Sequence, residues 1–115
     1  QAKKEGCDVI LLDCITNLLF RFLERFKIEN KEVMTNDQEK KVEEKAIDFF
    51  KKLIAFMQKK ELDIIIVSNE VGAGIVPAFP LGRIFRDLMG AVNKEIASSS
   101  NQVYYFIAGI KQRLK

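Results

Sequence analysis

The chain has 115 residues, 48% of them hydrophobic and 30% charged, with a formal net charge of +3. That length fits one domain, so small a positive charge gives no footing for nucleic-acid binding, and no apolar run approaches the roughly 18 residues that span a bilayer. The absence of histidine removes imidazole from this chain's acid–base, nucleophilic and metal chemistry. Cys7 and Cys14 are the only cysteines; two thiols predict free side chains in a cytoplasmic protein rather than a disulfide framework or a zinc site. No segment has the make-up of a secretory signal peptide.

In chain order, Asp8 to Asp13 (DVILLD) is short, aliphatic and nearly unbroken, as a parallel strand buried on both faces would be. Leu18, Leu19, Phe22, Leu23 and Phe26 then recur at helical spacing. Ile28 to Lys40 is polar and reads as a surface loop entering an N-cap at Asn36 or Asp37. A long helix is predicted from Gln38 to Lys60, with Val42, Ala46, Phe49, Phe50, Leu53, Ile54 and Met57 as its apolar stripe. The second strand is Asp63 to Ser68 (DIIIVS). A loop rich in glycine and proline leads to a helix from Leu81 to Ala97, broken by Ser98 to Asn101. Gln102 to Ala108 (QVYYFIA) completes the series as a third strand, ended by Gly109.

Strand and helix in alternation predict an α/β fold, a parallel sheet with right-handed crossovers. Three strands this apolar need helices on both faces and neighbours at their edges, because soluble proteins do not leave long edges unpaired. Residues 1–115 therefore read as a single but incomplete α/β domain: the latter part of a larger one, or a chain completed by a partner.

Ligands of parallel α/β sheets gather at the carboxyl ends of the strands, and two carboxylates are predicted there. Asp13 follows four apolar residues, the pattern of a Walker-B strand whose aspartate holds Mg2+ beside nucleotide phosphates; the same position suits a helix cap or turn residue. Thr16 and Asn17 fit either role, by capping the next helix or by reaching a phosphate. Glu70 follows IIIVSN, and glutamate is a poor strand former; it reads as a magnesium, ribose or general-base group, or as a solvent-facing loop residue. Gly72 and Gly74 do not make a phosphate loop, since no GKS or GKT follows. Pro77 and Pro80 stiffen the loop, which lowers the entropy lost on closing over a ligand. Arg83 and Arg86 stand three apart on the predicted helix, able to grip phosphate together, or Arg86 pairs with Asp87 or Glu70 and fixes the helix.

SNEVGAGIVP from Ser68 to Pro77, LGRIFRDLMGAVNKEIA from Leu81 to Ala97, VYYFIAGIKQRLK from Val103 to Lys115 and the upstream VILLDCITNLL together resemble the carboxyl-terminal part of the bifunctional adenosylcobinamide kinase / adenosylcobinamide-phosphate guanylyltransferase family of cobalamin biosynthesis. The likeness covers nearly the whole chain and is loosest between Phe26 and Lys60. It implies a P-loop NTPase (RecA-like) fold, phosphorylation of adenosylcobinamide by ATP or GTP, transfer of GMP from GTP to the product through a guanylylated histidine, and an oligomer, typically a trimer, with active sites between subunits. On this sequence it implies Asp13 in the Mg2+ role and Asn69 and Glu70 lining the nucleotide site. Arg83, Arg86 and Asp87 would organise the helix and loop beside the site or a subunit contact.

The family's amino-terminal P-loop strand and helix and its histidine are not among these residues, Lys94 replaces a usual glutamine, and Lys111-Gln112 replaces Pro-Leu before Arg113. Lacking the backbone amides that cradle the phosphates and the covalent nucleophile, the chain as it stands is expected to catalyse neither step alone. The alternative is a non-catalytic α/β module acting through subunit association.

Overall fold

The computed structural model describes residues 8–25, 34–59 and 62–115. Two strands, β1 (Val9–Asp13) and β2 (Asp63–Val67), pair in parallel with Val9 opposite Asp63 and Asp13 opposite Val67. Three helices join and follow them: α1 (Ile15–Glu24), α2 (Asn36–Gln58) and α3 (Pro80–Ser99). The α/β class read from the sequence is thus present, with a small parallel sheet.

The core is made by one stripe from each helix. Ile15, Leu19 and Leu23 of α1 meet Val42, Ala46, Phe50 and Ile54 of α2 and Ile84, Leu88, Met89, Val92 and Ile96 of α3, with Leu12 and Ile66 of the sheet packed against them. Phe50 is 1% exposed and sits edge-on to Phe49, which also meets Phe22 at 5.6 Å between ring centres. These spacings of three and four are the helical period in the sequence expressed as packing. Phe26 and Cys7 lie outside the described residues; Cys14 is a half-buried free thiol at the start of α1.

The strands are covered on one face only. Ile10, Leu12, Ile64 and Ile66 turn toward the helices, whereas Val9, Leu11, Ile65 and Val67 are exposed, Leu11 by 62%. Burial on both faces, expected from the aliphatic runs, is therefore not met among the described residues. The period of two in a strand sends alternate side chains to opposite faces, and all three helices stand on the same side.

The cap of α2 also differs from expectation. Thr35, not Asn36 or Asp37, is the N-cap: its hydroxyl accepts from the Gln38 N–H, and the Gln38 side chain accepts from the Thr35 N–H at 2.8 Å. That reciprocal box satisfies two orphan donors at once, while Asp37 and Glu39 in the first turn suit the positive end of the helix dipole. At α3 the ring of Pro80 occupies the first helical position, where no N–H is needed. The helix ends when Ser100 donates to the Ile96 carbonyl and Lys115 Nζ donates to those of Ala97 and Ser98, satisfying carbonyls that a helix terminus leaves open.

The third strand is a correction. Tyr104–Ile107 (β3) does not join the parallel sheet; it pairs antiparallel with Ile110–Arg113 (β4). The cause is the Ala108-Gly109 pair, both at positive φ (50° and 77°), which makes the two-residue turn whose twist suits a hairpin. Gly109 is therefore the hinge of a hairpin rather than the end of a lone strand. Lys111 over the Tyr104 ring at 4.8 Å adds a cation–π contact across the pair.

Candidate functional site

The parallel register sets the geometry of the site. Because Asp13 lies opposite Val67, the carboxyl end of β1 and the turn Ser68–Glu70 after β2 stand side by side on one rim of the sheet. Asp13 is exposed, and its carboxylate enters no hydrogen bond or ion pair among the described residues. The alternative of a capping aspartate is not what the structure shows: Cys14 is the N-cap of α1, without a side-chain cap bond.

Thr16 and Asn69 are brought together. Asn69 Nδ2 donates to Thr16 Oγ1 at 2.8 Å, which ties the turn after β2 to the first turn of α1. Two residues not singled out in the sequence complete the tie. Asn93 of α3 donates from Nδ2 to the Asn69 carbonyl at 3.0 Å, and Ser68 Oγ donates to Asn93 Oδ1. For Asn93 the sequence carries a signal of face only: it lies seven positions after Arg86, hence on the same helical stripe, which does not name its partners.

Glu70, Arg86 and Arg83 are engaged with the loop backbone. The Glu70 carboxylate accepts from the Gly72 N–H, and Arg86 Nη2 donates to the Gly72 carbonyl. Arg83 Nη1 donates to the carbonyls of Pro77 (3.1 Å) and Ala78 (2.9 Å). Neither arginine has an acidic partner within ion-pair distance among the described residues, so the pairing of Arg86 with Asp87 or Glu70 gives way to contacts with main-chain oxygens. Two glycines permit the close approach. A Cβ on Gly72 would lie 2.7 Å from Glu70 Oε1, and one on Gly82 would lie 2.7 Å from Pro77 Cβ.

The loop is thus laced to α3 at its two ends, while Ile75, Val76 and Phe79 face outward, Ile75 by 96%. A separate recess of about 180 Å³ lies between the starts of α2 and α3, lined by Met34, Glu39, Pro80, Arg83, Ile84 and Asp87. It is smaller than a typical ligand pocket, and it is bordered by Arg83 and Asp87 of α3 but not by Asp13, Thr16, Asn69 or Glu70.

Chemically, the rim offers the carboxylate of Asp13, unpartnered among the described residues, and the Thr16 hydroxyl bonded to the Asn69 carboxamide, followed by a loop held in shape by charged groups. Among the described residues no group of three or more acidic or cysteine side chains could hold a metal alone. A single exposed carboxylate does suit Mg2+, which keeps several waters and takes one or two carboxylates together with substrate phosphates. No described helix is long and apolar enough to cross a membrane.

Residues 1–114 match the family described as cobinamide kinase / cobinamide phosphate guanyltransferase. The bifunctional adenosylcobalamin biosynthesis protein CobU of Escherichia coli is 33% identical over 109 residues, and its namesake from Salmonella typhimurium 37% identical; each alignment covers 94% of this chain and 59% of the relative. The corresponding protein CobP of Pseudomonas aeruginosa is 40% identical over 52 residues, 45% of this chain and 30% of its own length. The chain therefore spans about three-fifths of the length of the two CobU relatives it matches.

Proposed function

This chain belongs to the cobinamide kinase / cobinamide phosphate guanyltransferase family, and from that premise we propose that its carboxyl rim forms part of the nucleotide site of an enzyme of cobalamin biosynthesis. The enzyme phosphorylates adenosylcobinamide with ATP or GTP and transfers GMP from GTP to the product. Its setting is a P-loop NTPase fold in a cytoplasmic homo-oligomer.

The observation that carries this reading is the alignment of Asp13 with Val67, which sets a free carboxylate beside the Ser68–Glu70 turn. In parallel α/β sheets that rim is where ligands bind. Asp13 is the group that would hold Mg2+, through water, and Thr16 and Asn69 are the polar groups within reach of a phosphate on the same rim. The magnesium, when bound with nucleotide, neutralises phosphate charge. Glu70 is the acid–base candidate. Arg83 and Arg86 hold the loop that carries it through main-chain carbonyls, and with no ion pair to either arginine among the described residues their charges favour an anion nearby.

The guanylyl step needs a nucleophile, and these 115 residues hold no histidine; the covalent carrier is assigned to sequence outside them. A second reading, a non-catalytic module that associates through its apolar surface, draws on the exposed face of Val9, Leu11, Ile65 and Val67. Titration of the complete natural polypeptide with ATP and GTP, with and without Mg2+, separates the two. Magnesium-dependent binding that weakens in Asp13→Asn supports the enzyme, and no nucleotide binding under any condition leaves the module.

A further inference from the structure

We propose that Asn93 is a positioning residue for the nucleotide site: through Ser68 and Asn69 it fixes the rim of β2 against α1 and leaves the Thr16 hydroxyl as a hydrogen-bond donor to a phosphate oxygen. The inference rests on the nucleotide reading above.

Asn93 stands on α3 directly after the buried Val92 and nearly one turn before the buried Ile96, so its place on the helix is set by packing on either side. The directions of its bonds follow from chemistry. The Asn69 carbonyl can only accept, so the Asn93 NH2 faces it. The Asn93 oxygen is then left for Ser68, whose hydroxyl donates to it. One carboxamide thereby holds the side chain of Ser68 and the main chain of Asn69, the two residues at which β2 gives way to the loop.

The effect passes on through Asn69. Its NH2 donates to Thr16 Oγ1, which uses an acceptor site of the hydroxyl and leaves its proton uncommitted among the described residues. Thr16 is three residues after Asp13. The rim thus presents a proton donor, fit for a phosphate oxygen, near a carboxylate fit for the cation that accompanies that phosphate. Only a carboxamide can serve as the clamp: aspartate keeps the size and the acceptor but sets a second oxygen against the Asn69 carbonyl, and serine or alanine cannot span both partners.

The test uses the complete natural polypeptide with a non-hydrolysable GTP analogue and Mg2+, for the wild type, Asn93→Asp, Thr16→Val and the double variant. Asn93→Asp is expected to weaken binding about tenfold or more, the scale of one lost hydrogen bond with a partner left unsatisfied. Because Asn93 acts through Thr16, the double variant is expected to bind no worse than Thr16→Val, a non-additivity that general loss of stability would not produce. Should Asn93→Asp unfold, Ser68→Ala removes a single bond of the clamp and is expected to give a smaller loss with the same coupling, restored by Ser68→Thr. Unchanged affinity in Asn93→Asp, or strictly additive losses, overturns the positioning role while the nucleotide reading stands. A wild type that binds no analogue removes the nucleotide reading itself, and this inference with it.

Discussion

The guanidinium of Arg86 donates to the main-chain carbonyl of Gly72, fourteen residues earlier, while Glu70 accepts from the N–H of that same glycine. One residue of the loop is held from both sides by opposite charges. The acid that the sequence offers as a catalyst is therefore also a brace, and the two roles respond differently to substitution.

Glu70→Gln separates them. Glutamine keeps an oxygen that can accept from the Gly72 N–H, so the loop is expected to keep its shape and the stability of unfolding to change by no more than about 0.5 kcal/mol. If Glu70 moves a proton in the reaction, kcat of the complete enzyme falls about 100-fold or more. A kcat within twofold of wild type, with melting unchanged, leaves Glu70 a brace alone.

Gly72→Ala and Gly82→Ala are expected to differ although each new Cβ meets an atom at 2.7 Å. At Gly72 that atom is the tip of the Glu70 side chain, which can swing aside, so melting barely moves while the brace is lost. At Gly82 it is Cβ of a proline ring, which cannot yield without moving the loop backbone. Overpacking of this kind costs about 1–3 kcal/mol. Chemical denaturation of the two variants checks the order; equal losses would contradict the geometry.

Much of this architecture could be read in the sequence, and for identifiable reasons. The stripes of α1 and α2 could be read because a period near 3.6 survives any tertiary context: Leu19 and Leu23 of α1, and Val42, Ala46, Phe50, Ile54 and Met57 of α2, are buried members of those stripes. The rim could be located because Asp13 ends an aliphatic run and Asn69 and Glu70 follow another. The hairpin could not: Tyr104–Ile107 has the composition of a strand in any sheet, and its partner was masked by the charged residues of Ile110–Arg113. Nor could the bond of Asn93 to residues twenty-four and twenty-five positions earlier be read from spacing, since it depends on how α3 crosses the sheet.

Phe50 carries the stability prediction. It is 1% exposed in the core that α1, α2 and α3 share, and the ring beside it, Phe49, is itself held against Phe22 and is only partly free to collapse into a void there. Phe50→Ala is expected to cost about 3–5 kcal/mol, read by urea unfolding, a large share of a small domain's stability. Phe79→Ala, 71% exposed, is expected to cost less than about 0.5 kcal/mol. A similar loss at both sites would mean that the three-helix core is not the seat of stability.

Asp13→Asn isolates charge from shape. The side chain is exposed and unpartnered among the described residues, so replacing the carboxylate by an amide removes no intramolecular bond and stability should hold within about 0.5 kcal/mol. Its contribution to nucleotide binding is electrostatic and requires the cation. Without magnesium, the negative charge of Asp13 repels the phosphates, and the asparagine variant is expected to bind nucleotide as well as or better than wild type. With magnesium, the sign reverses: wild type gains the carboxylate–cation attraction, and the variant is expected to bind about tenfold more weakly or worse. Calorimetric titration at two magnesium concentrations reads that crossing directly. Parallel curves, with the variant weaker or equal at both, would place Asp13 outside the cation's coordination.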